Sequence, residues 1–368
     1  MIRTRRLLRV AGLNFLLVTA VVGFFVLIPL SVKVAYRSYS RLVPWSSGET
    51  RAALSNYSEF EWAEQHFKDL NRIATNYRDF VVWRAEPFES PTITIESGGF
   101  RRVEQARDAN TDEVWLFGGS AMWGVGSNDT NTIPSQLAQG AAVTVKNYAQ
   151  MGYIARQSLN ELINIYSEVT RPLSTDRVVV FYDGVNEVLW KCQTENLYLG
   201  SAYEPDIRDA LAVDNLSPRV ILQPATSLIE WIGDGFDNRL FNSSYSCHED
   251  SERSEQVARL LINDWISADA IARSHGDRFV AVLQPVAYIG RPNLEHLDLF
   301  RTEWKELSAQ YQVVYPLIRK YAVEAQIEFY DFSSILNMEE QVYIDFCHLS
   351  PNGNQQIAVG LQGLLEDG

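Results

Sequence analysis

From residue 112 onward the chain repeats one pattern five times: a short run rich in β-branched, apolar and aromatic residues, then a longer stretch with helical spacing. The runs are EVWLFG (113–118), VTVKNY (143–148), RVVVFYD (177–183), RFVAVLQ (278–284) and IEFYDF (327–332). Helical patterns lie between them, at 132–140, 156–169, 251–276 and 301–325. The third of these opens on Ser251 as a plausible cap, closes on Gly276 and carries an apolar stripe through Val257, Leu260, Leu261, Trp265, Ile266 and Ile271. Strands that are apolar almost throughout, rather than at every second residue, have both faces buried. Joined by helices, they predict an α/β fold with a parallel sheet covered on both sides. Such sheets bind ligands beyond the carboxyl ends of their strands, so the residues just after each run are where chemistry is expected.

The N-terminal part obeys other rules. Residues 10–32 contain no charge and are long enough to cross a hydrocarbon core, which needs ~20 apolar residues. A cleaved signal peptide would have an apolar region of ~7–15 residues and a small-residue cleavage site. Here the run is longer and Val32, Val34 and Tyr36 follow it, so an uncleaved anchor over 10–34 is expected, behind a basic tail at 1–9. Arg3, Arg5, Arg6 and Arg9 favour a cytoplasmic N-terminus, against Lys33, Arg37 and Arg41 on the other flank. Those seven are the basic residues of 1–41, which has no acid; the remainder holds 25 basic against 46 acidic residues, a formal charge of −21. A domain that acidic repels phosphate backbones, which argues against nucleic acid. Residues 35–110 read as a stalk and accessory segment, helical over 45–80 with His66 on the surface, then extended over 79–101 around a Gly98-Gly99 turn. Between the third and fourth runs lies a long aromatic-containing insertion, about 188–250, of a length usual for lids and binding surfaces.

Four places stand out just past the strands. Gly118-Gly119-Ser120 puts a serine at a strand-to-helix turn, exposing its hydroxyl; a Gly-rich turn is the plainer reading. Gly152, after the second run, lets a backbone N–H approach a ligand, or simply enters a helix. Asn186, after the third, has an amide able to donate to a developing oxyanion, or to form a turn; Asp183 and Glu187 beside it read as capping or solvated carboxylates. Near the C-terminus Asp345 and His348 are three residues apart, which lets a carboxylate orient an imidazole, and Ser350-Pro351 reads as a helix start. Each signal alone is weak. Cys192, Cys247 and Cys347 lack metal-ligand spacing, as do His248, His275 and His296, so no metal site and no cofactor are expected. Cys347 reads as a packing residue. In an extracytoplasmic domain Cys192 and Cys247 can pair, and the sequence leaves that open.

Taken in order, the four places resemble the SGNH (GDSL-like) hydrolase superfamily, named for serine, glycine, asparagine and histidine in four blocks. The matching residues are Ser120 in GGS, Gly152, Asn186 in GVNE and His348 in DFCH, over roughly 112–365. The VVWRAEPF stretch and the Gly-Gly-Phe-Arg turn are also similar to those of membrane-anchored bacterial members. The first block usually reads Gly-Asp-Ser and the third ends Asn-Asp, whereas here Gly119 and Glu187 stand in those places. The resemblance implies a flavodoxin-like three-layer sandwich with a five-stranded parallel sheet. It implies a catalytic triad of Ser120, His348 and Asp345, and an oxyanion hole from the N–H groups of Ser120 and Gly152 with the Asn186 amide. It further implies a single-pass protein of the cell (inner) membrane with its C-terminal domain periplasmic or otherwise extracytoplasmic. The expected substrates are acylated small molecules or glycans, such as O-acetyl esters of the envelope. Interception of the acyl-enzyme by a sugar hydroxyl would make the same residues an O-acyltransferase. A non-catalytic subunit with membrane protein partners would also carry a span and a long insertion; the intact Ser-Asp-His set favours the enzyme.

Overall fold

The computed structural model describes residues 50–107, 109, 111–168, 176–202, 244–297 and 302–366, with 12–14, 17, 20 and 23 near the N-terminus. The chain divides into two compact units, 1–48 with 203–243 and 49–202 with 244–368, and the second holds the sheet. The span expected at 10–34 and the middle of the insertion fall almost wholly outside the described residues. Among the described residues no helix is long and apolar enough to cross a membrane.

Two single 3₁₀ turns, Arg51–Ala53 and Ser55–Tyr57, precede α1 (Ala63–Leu70). Two small antiparallel hairpins follow, β1 (Thr75–Arg78) with β2 (Val82–Ala85), and β3 (Phe88–Glu89) with β4 (Thr94–Ile95). The repeating part then runs β5 (Glu113–Gly118), α2 (Ser120–Trp123), α3 (Ile133–Ala141), β6 (Thr144–Asn147), α4 (Ala155–Glu168), β7 (Arg177–Asp183), α5 (Val185–Lys191) and α6 (Ser251–Ser274). It ends with β8 (Arg278–Leu283), α7 (Thr302–Ala325), β9 (Phe329–Asp331) and α8 (Pro351–Glu366).

All five strands of the main sheet are parallel, in the order β6-β5-β7-β8-β9. Counted from β5, that is 2-1-3-4-5, the flavodoxin-like order. Right-handed crossovers put α3 on one face and α4, α6 and α7 on the other, and α8 returns to pack on α3. The direction of winding reverses between β5 and β7, which opens a crevice at the carboxyl ends of those two strands. Each expected run is a strand. β5 and β7 match their runs end to end, and the other three are trimmed by one to three residues.

The core follows from burial on both faces. Val114–Phe117, Val179–Tyr182 and Phe279–Leu283 are buried without a break. Val257, Leu261, Trp265, Ala268 and Ala272 form the buried face of α6. Ile266, expected in that stripe, is exposed, while Leu260 and Ile271 sit at its margins. The cap of α6 is Asp250, one residue before the expected Ser251; its carboxylate accepts the Arg253 N–H at 3.0 Å. Trp265 also donates its indole N–H to Asp183 at 3.1 Å. Removing that ring would leave both a cavity and an orphaned buried acid, a loss of about 3–5 kcal/mol for the cavity alone.

The insertion begins after α5 rather than at 188. Its base is closed by a Cys192–Cys247 disulfide spanning 55 residues and by a bridge between Gln193 and Tyr245. Upstream, the helix expected over 45–80 shrinks to the eight residues of α1, because the chain from Thr75 turns instead into hairpin β1–β2. His66 is buried rather than on the surface. Tyr57, Ala63 and Phe67 pack with Ile344, while Ala85, Ile93 and Ile95 join the main core.

Candidate active site

β5 ends in two glycines for two different reasons. Gly118 has φ +149°, and a Cβ there would lie 2.5 Å from the Tyr182 carbonyl of β7. Gly119 has ordinary backbone angles, but a Cβ on it would overlap the Asn186 amide nitrogen. That contact gives a physical reason for a glycine where the resembled family carries an acid. The next residue, Ser120, opens α2 at the mouth of the crevice and is half-buried.

Ser120 Oγ lies 2.7 Å from His348 Nε2, across 228 residues of sequence. His348 Nδ1 lies 2.6 Å from Asp345 Oδ2. With the ring proton on Nδ1, the imidazole donates to Asp345 and accepts from the Ser120 hydroxyl. The other carboxylate oxygen, Oδ1, accepts the backbone N–H groups of Cys347 at 2.9 Å and His348 at 2.8 Å. Asp345 thus closes its own turn and fixes the ring it faces. Burial would push its carboxyl up; the His348 charge and hydrogen bond, with the Cys347 amide, outweigh that and hold it below the usual carboxylate range. The His348 and Asp345 side chains are 16% and 24% exposed, so the crevice reaches solvent.

The other two blocks converge on the same point. Asn186 Nδ2 donates to the Tyr153 carbonyl at 2.7 Å and sits beside Gly119. One amide hydrogen is spent there and a second remains. Gly152 precedes Tyr153 and has φ +79°, a left-handed conformation that favours glycine. Glu187, in the place of the family's aspartate, is fully buried and acts as a double cap. Its oxygens accept the Ala155 N–H of α4 at 2.6 Å and the Gly184 N–H at 2.9 Å. The longer side chain therefore ties the loop after β7 to the loop after β6. Asp183 is buried behind it, and burial, then the Glu187 charge, push its carboxyl well above the ordinary range.

Cys347 is a free, buried cysteine whose thiol is pushed up by burial and by Asp345. Its Sγ, the Asp345 carboxylate and the His348 ring nitrogen lie within 4.8 Å of one another. The carboxylate is already committed to His348 and two amides, and the thiol is held neutral, so this donor set suits proton transfer better than a cation.

Sequence reasoning missed a ring of residues upstream. Arg101 is fully buried. It donates to the carbonyls of Gly124 (2.5 Å), Ser127 (2.6 Å), Trp123 and Thr92 (3.4 Å each), pairs with Asp129 at 3.0 Å and lies over the Trp123 ring. It is the arginine of the Gly-Gly-Phe-Arg turn, so the motif was visible while its target was not.

No family model matches the chain, and no curated protein matches it. Solved structures do. A lipolytic protein of the G-D-S-L family from Veillonella parvula is 12% identical, with 68% of this chain and 96% of that chain covered and a TM-score of 0.39. Est24, a carbohydrate acetylesterase from Sinorhizobium meliloti, is 12% identical over 70% of this chain and 99% of that one, with a TM-score of 0.38. An inhibitor-bound aryl esterase from M. smegmatis is 13% identical over 70% and 99%, also at 0.38. At such identities and TM-scores neither activity nor substrate carries over, and the functional reading rests on the site itself.

Proposed function

We propose that this chain is a serine esterase that cleaves acyl esters through Ser120, His348 and Asp345. The observation that carries the reading is the continuous Ser120–His348–Asp345 relay, with contacts of 2.7 and 2.6 Å. In the reaction His348 Nε2 takes the hydroxyl proton as Ser120 Oγ attacks the ester carbonyl. Asp345 holds the tautomer and stabilises the imidazolium. The tetrahedral oxyanion is met by the N–H groups of Ser120 and Gly152 and by the Asn186 amide. Collapse expels the alcohol with the proton from His348, leaving an acyl-Ser120, and water attacks that intermediate by the same route in reverse.

The finer reading is an enzyme of the cell envelope, anchored through residues 10–34 and acting on acyl, above all O-acetyl, esters of glycans. The charge-free run at 10–32 and the acidic remainder support the anchor and the outward placement. The Cys192–Cys247 disulfide supports an oxidising compartment. The test of the core reading is labelling by a fluorophosphonate probe, wild type against Ser120→Ala. Labelling of the wild type alone is expected. Equal labelling of both, or of neither with the chain folded, would remove Ser120 from the mechanism.

A further inference from the structure

We infer that residues 50–102 are a clamp built into the active site, with Tyr57, His66 and Arg101 as positioning residues for Ser120; the inference rests on the esterase reading. The loop that leaves α2 offers five consecutive backbone carbonyls, and this segment takes every one. Arg101 donates to Trp123, Gly124 and Ser127. His66 Nε2 lies 2.8 Å from the Val125 carbonyl, and the Tyr57 hydroxyl donates to Gly126 at 2.5 Å. From the other side the Gly124 and Val125 N–H groups donate to the Ser120 carbonyl at 3.0 and 3.1 Å. Residues 120–127 are thus held from both edges.

The loop is also wedged against the histidine. A Cβ on Gly126 would overlap the carbonyl oxygen of Leu349, the residue after His348. A shift of 124–126 would therefore move Ser120 and His348 relative to each other. The same upstream segment holds the second loop. Trp83 donates its indole N–H to Met151 at 3.0 Å, and Gln150 bridges Gly99 (2.7 Å) and the Ala85 N–H (3.1 Å). Tyr153 returns its hydroxyl to the Trp83 carbonyl at 2.5 Å. Gly152 lies inside that bracket.

The polarity of the grip distinguishes a clamp from ordinary packing. Burying a guanidinium costs several kcal/mol, and an apolar side chain would fill the same space without that penalty. What the arginine fork, the ring N–H and the phenol supply is direction: each fixes the orientation of a peptide plane. Displacements of ~1 Å at a nucleophile are enough to cost about a hundredfold in rate.

The experiment uses the full chain with Tyr57→Phe, His66→Leu, His66→Gln and Arg101→Lys. Three readouts are taken: kcat and KM for p-nitrophenyl acetate, thermal melting, and hydrogen exchange at the Gly124 and Val125 amides. Tyr57→Phe and His66→Leu are expected to lower kcat by ~10-fold or more, within the hundredfold cost of misplacement, with KM nearly unchanged. Both should speed exchange at Gly124 and Val125 but not at Val179–Tyr182 in the core strand. His66→Gln, which keeps a donor for Val125, should recover most of the rate, whereas Arg101→Lys, which loses the fork, should not. Unchanged kcat with only a lower melting temperature would overturn the inference. A wild type that neither hydrolyses the ester nor labels at Ser120 would sink the esterase reading instead. In that case the amide exchange still decides the clamp: unaltered exchange in Tyr57→Phe and His66→Leu would overturn it.

Discussion

The five-stranded sheet and the segment at 50–107 both reach the candidate active site, and they do so by different physics. The sheet presents Ser120, Asn186 and the Gly152 loop because strands buried on both faces have one stable arrangement, and their carboxyl ends fall together at the switch point. The upstream segment has little regular structure, with one eight-residue helix and two short hairpins. It acts through side chains that reach backbone carbonyls tens of residues away, such as His66 to Val125 and Trp83 to Met151. The first region sets where the reacting groups are. The second sets how tightly they are held.

That division can be broken most sharply at the reacting groups. Asp345→Asn should leave the fold intact and lower kcat by about 10⁴-fold, because an amide nitrogen facing His348 Nδ1 favours the wrong ring tautomer. Steady-state kinetics beside a circular dichroism spectrum checks this, and a loss under tenfold would take Asp345 out of the relay. Asn186→Ala removes one oxyanion donor and should cost about 3 kcal/mol in the transition state, a hundredfold or more in kcat. Equal turnover in that variant would confine Asn186 to its bond with Tyr153.

Gly119→Ala sharpens the comparison without touching a polar group. The added methyl must displace the Asn186 amide, so the cost is that of overpacking, about 1–3 kcal/mol. If Asn186 serves the oxyanion, the loss appears in kcat as well as in melting temperature. If it serves only the fold, the two measurements separate.

The same contrast explains what could be read from the chain in advance. Unbroken apolar runs such as RVVVFYD report a local environment, and the four blocks report a local spacing, so strands and triad were legible. His66 was not. Its neighbours Gln65 and Lys68 are those of an exposed helix, and what buries it is contact with Val125, 59 positions on. The helix expected over 45–80 failed for a related reason: the hairpin at β1–β2 is stabilised by docking on the 150–157 loop, through bonds such as Gln157 to Val81 at 2.7 Å. Glu187 lay between these cases. Its capping role follows from its place after a glycine, but its reach to Ala155 required the fold.

The smallest expected effect isolates one contact of the clamp by pH. Burial, then the charge on Arg101, push the His66 ring down to about 3, with Arg51 acting in the same direction and the Val125 hydrogen bond opposing. The ring is therefore neutral in the fold, while in the unfolded chain it takes up a proton below its ordinary value of about 6.5. Between those two values the unfolded state binds more protons, so stability falls as pH falls, by up to about 1.4 kcal/mol per unit from this group alone. Above pH ~6.5 the ring is neutral in both states and the slope from it vanishes. Asp345, held low by His348, loses its contribution only at more acidic pH and does so equally in wild type and variant. Urea unfolding from pH 7 to 4.5 should thus show a steep decline in the wild type and a flatter one in His66→Gln, which keeps the donor to Val125 and cannot titrate. Parallel curves would mean that the ring is protonated in the fold, and would replace the neutral contact with Val125 by a charged one beside Arg101.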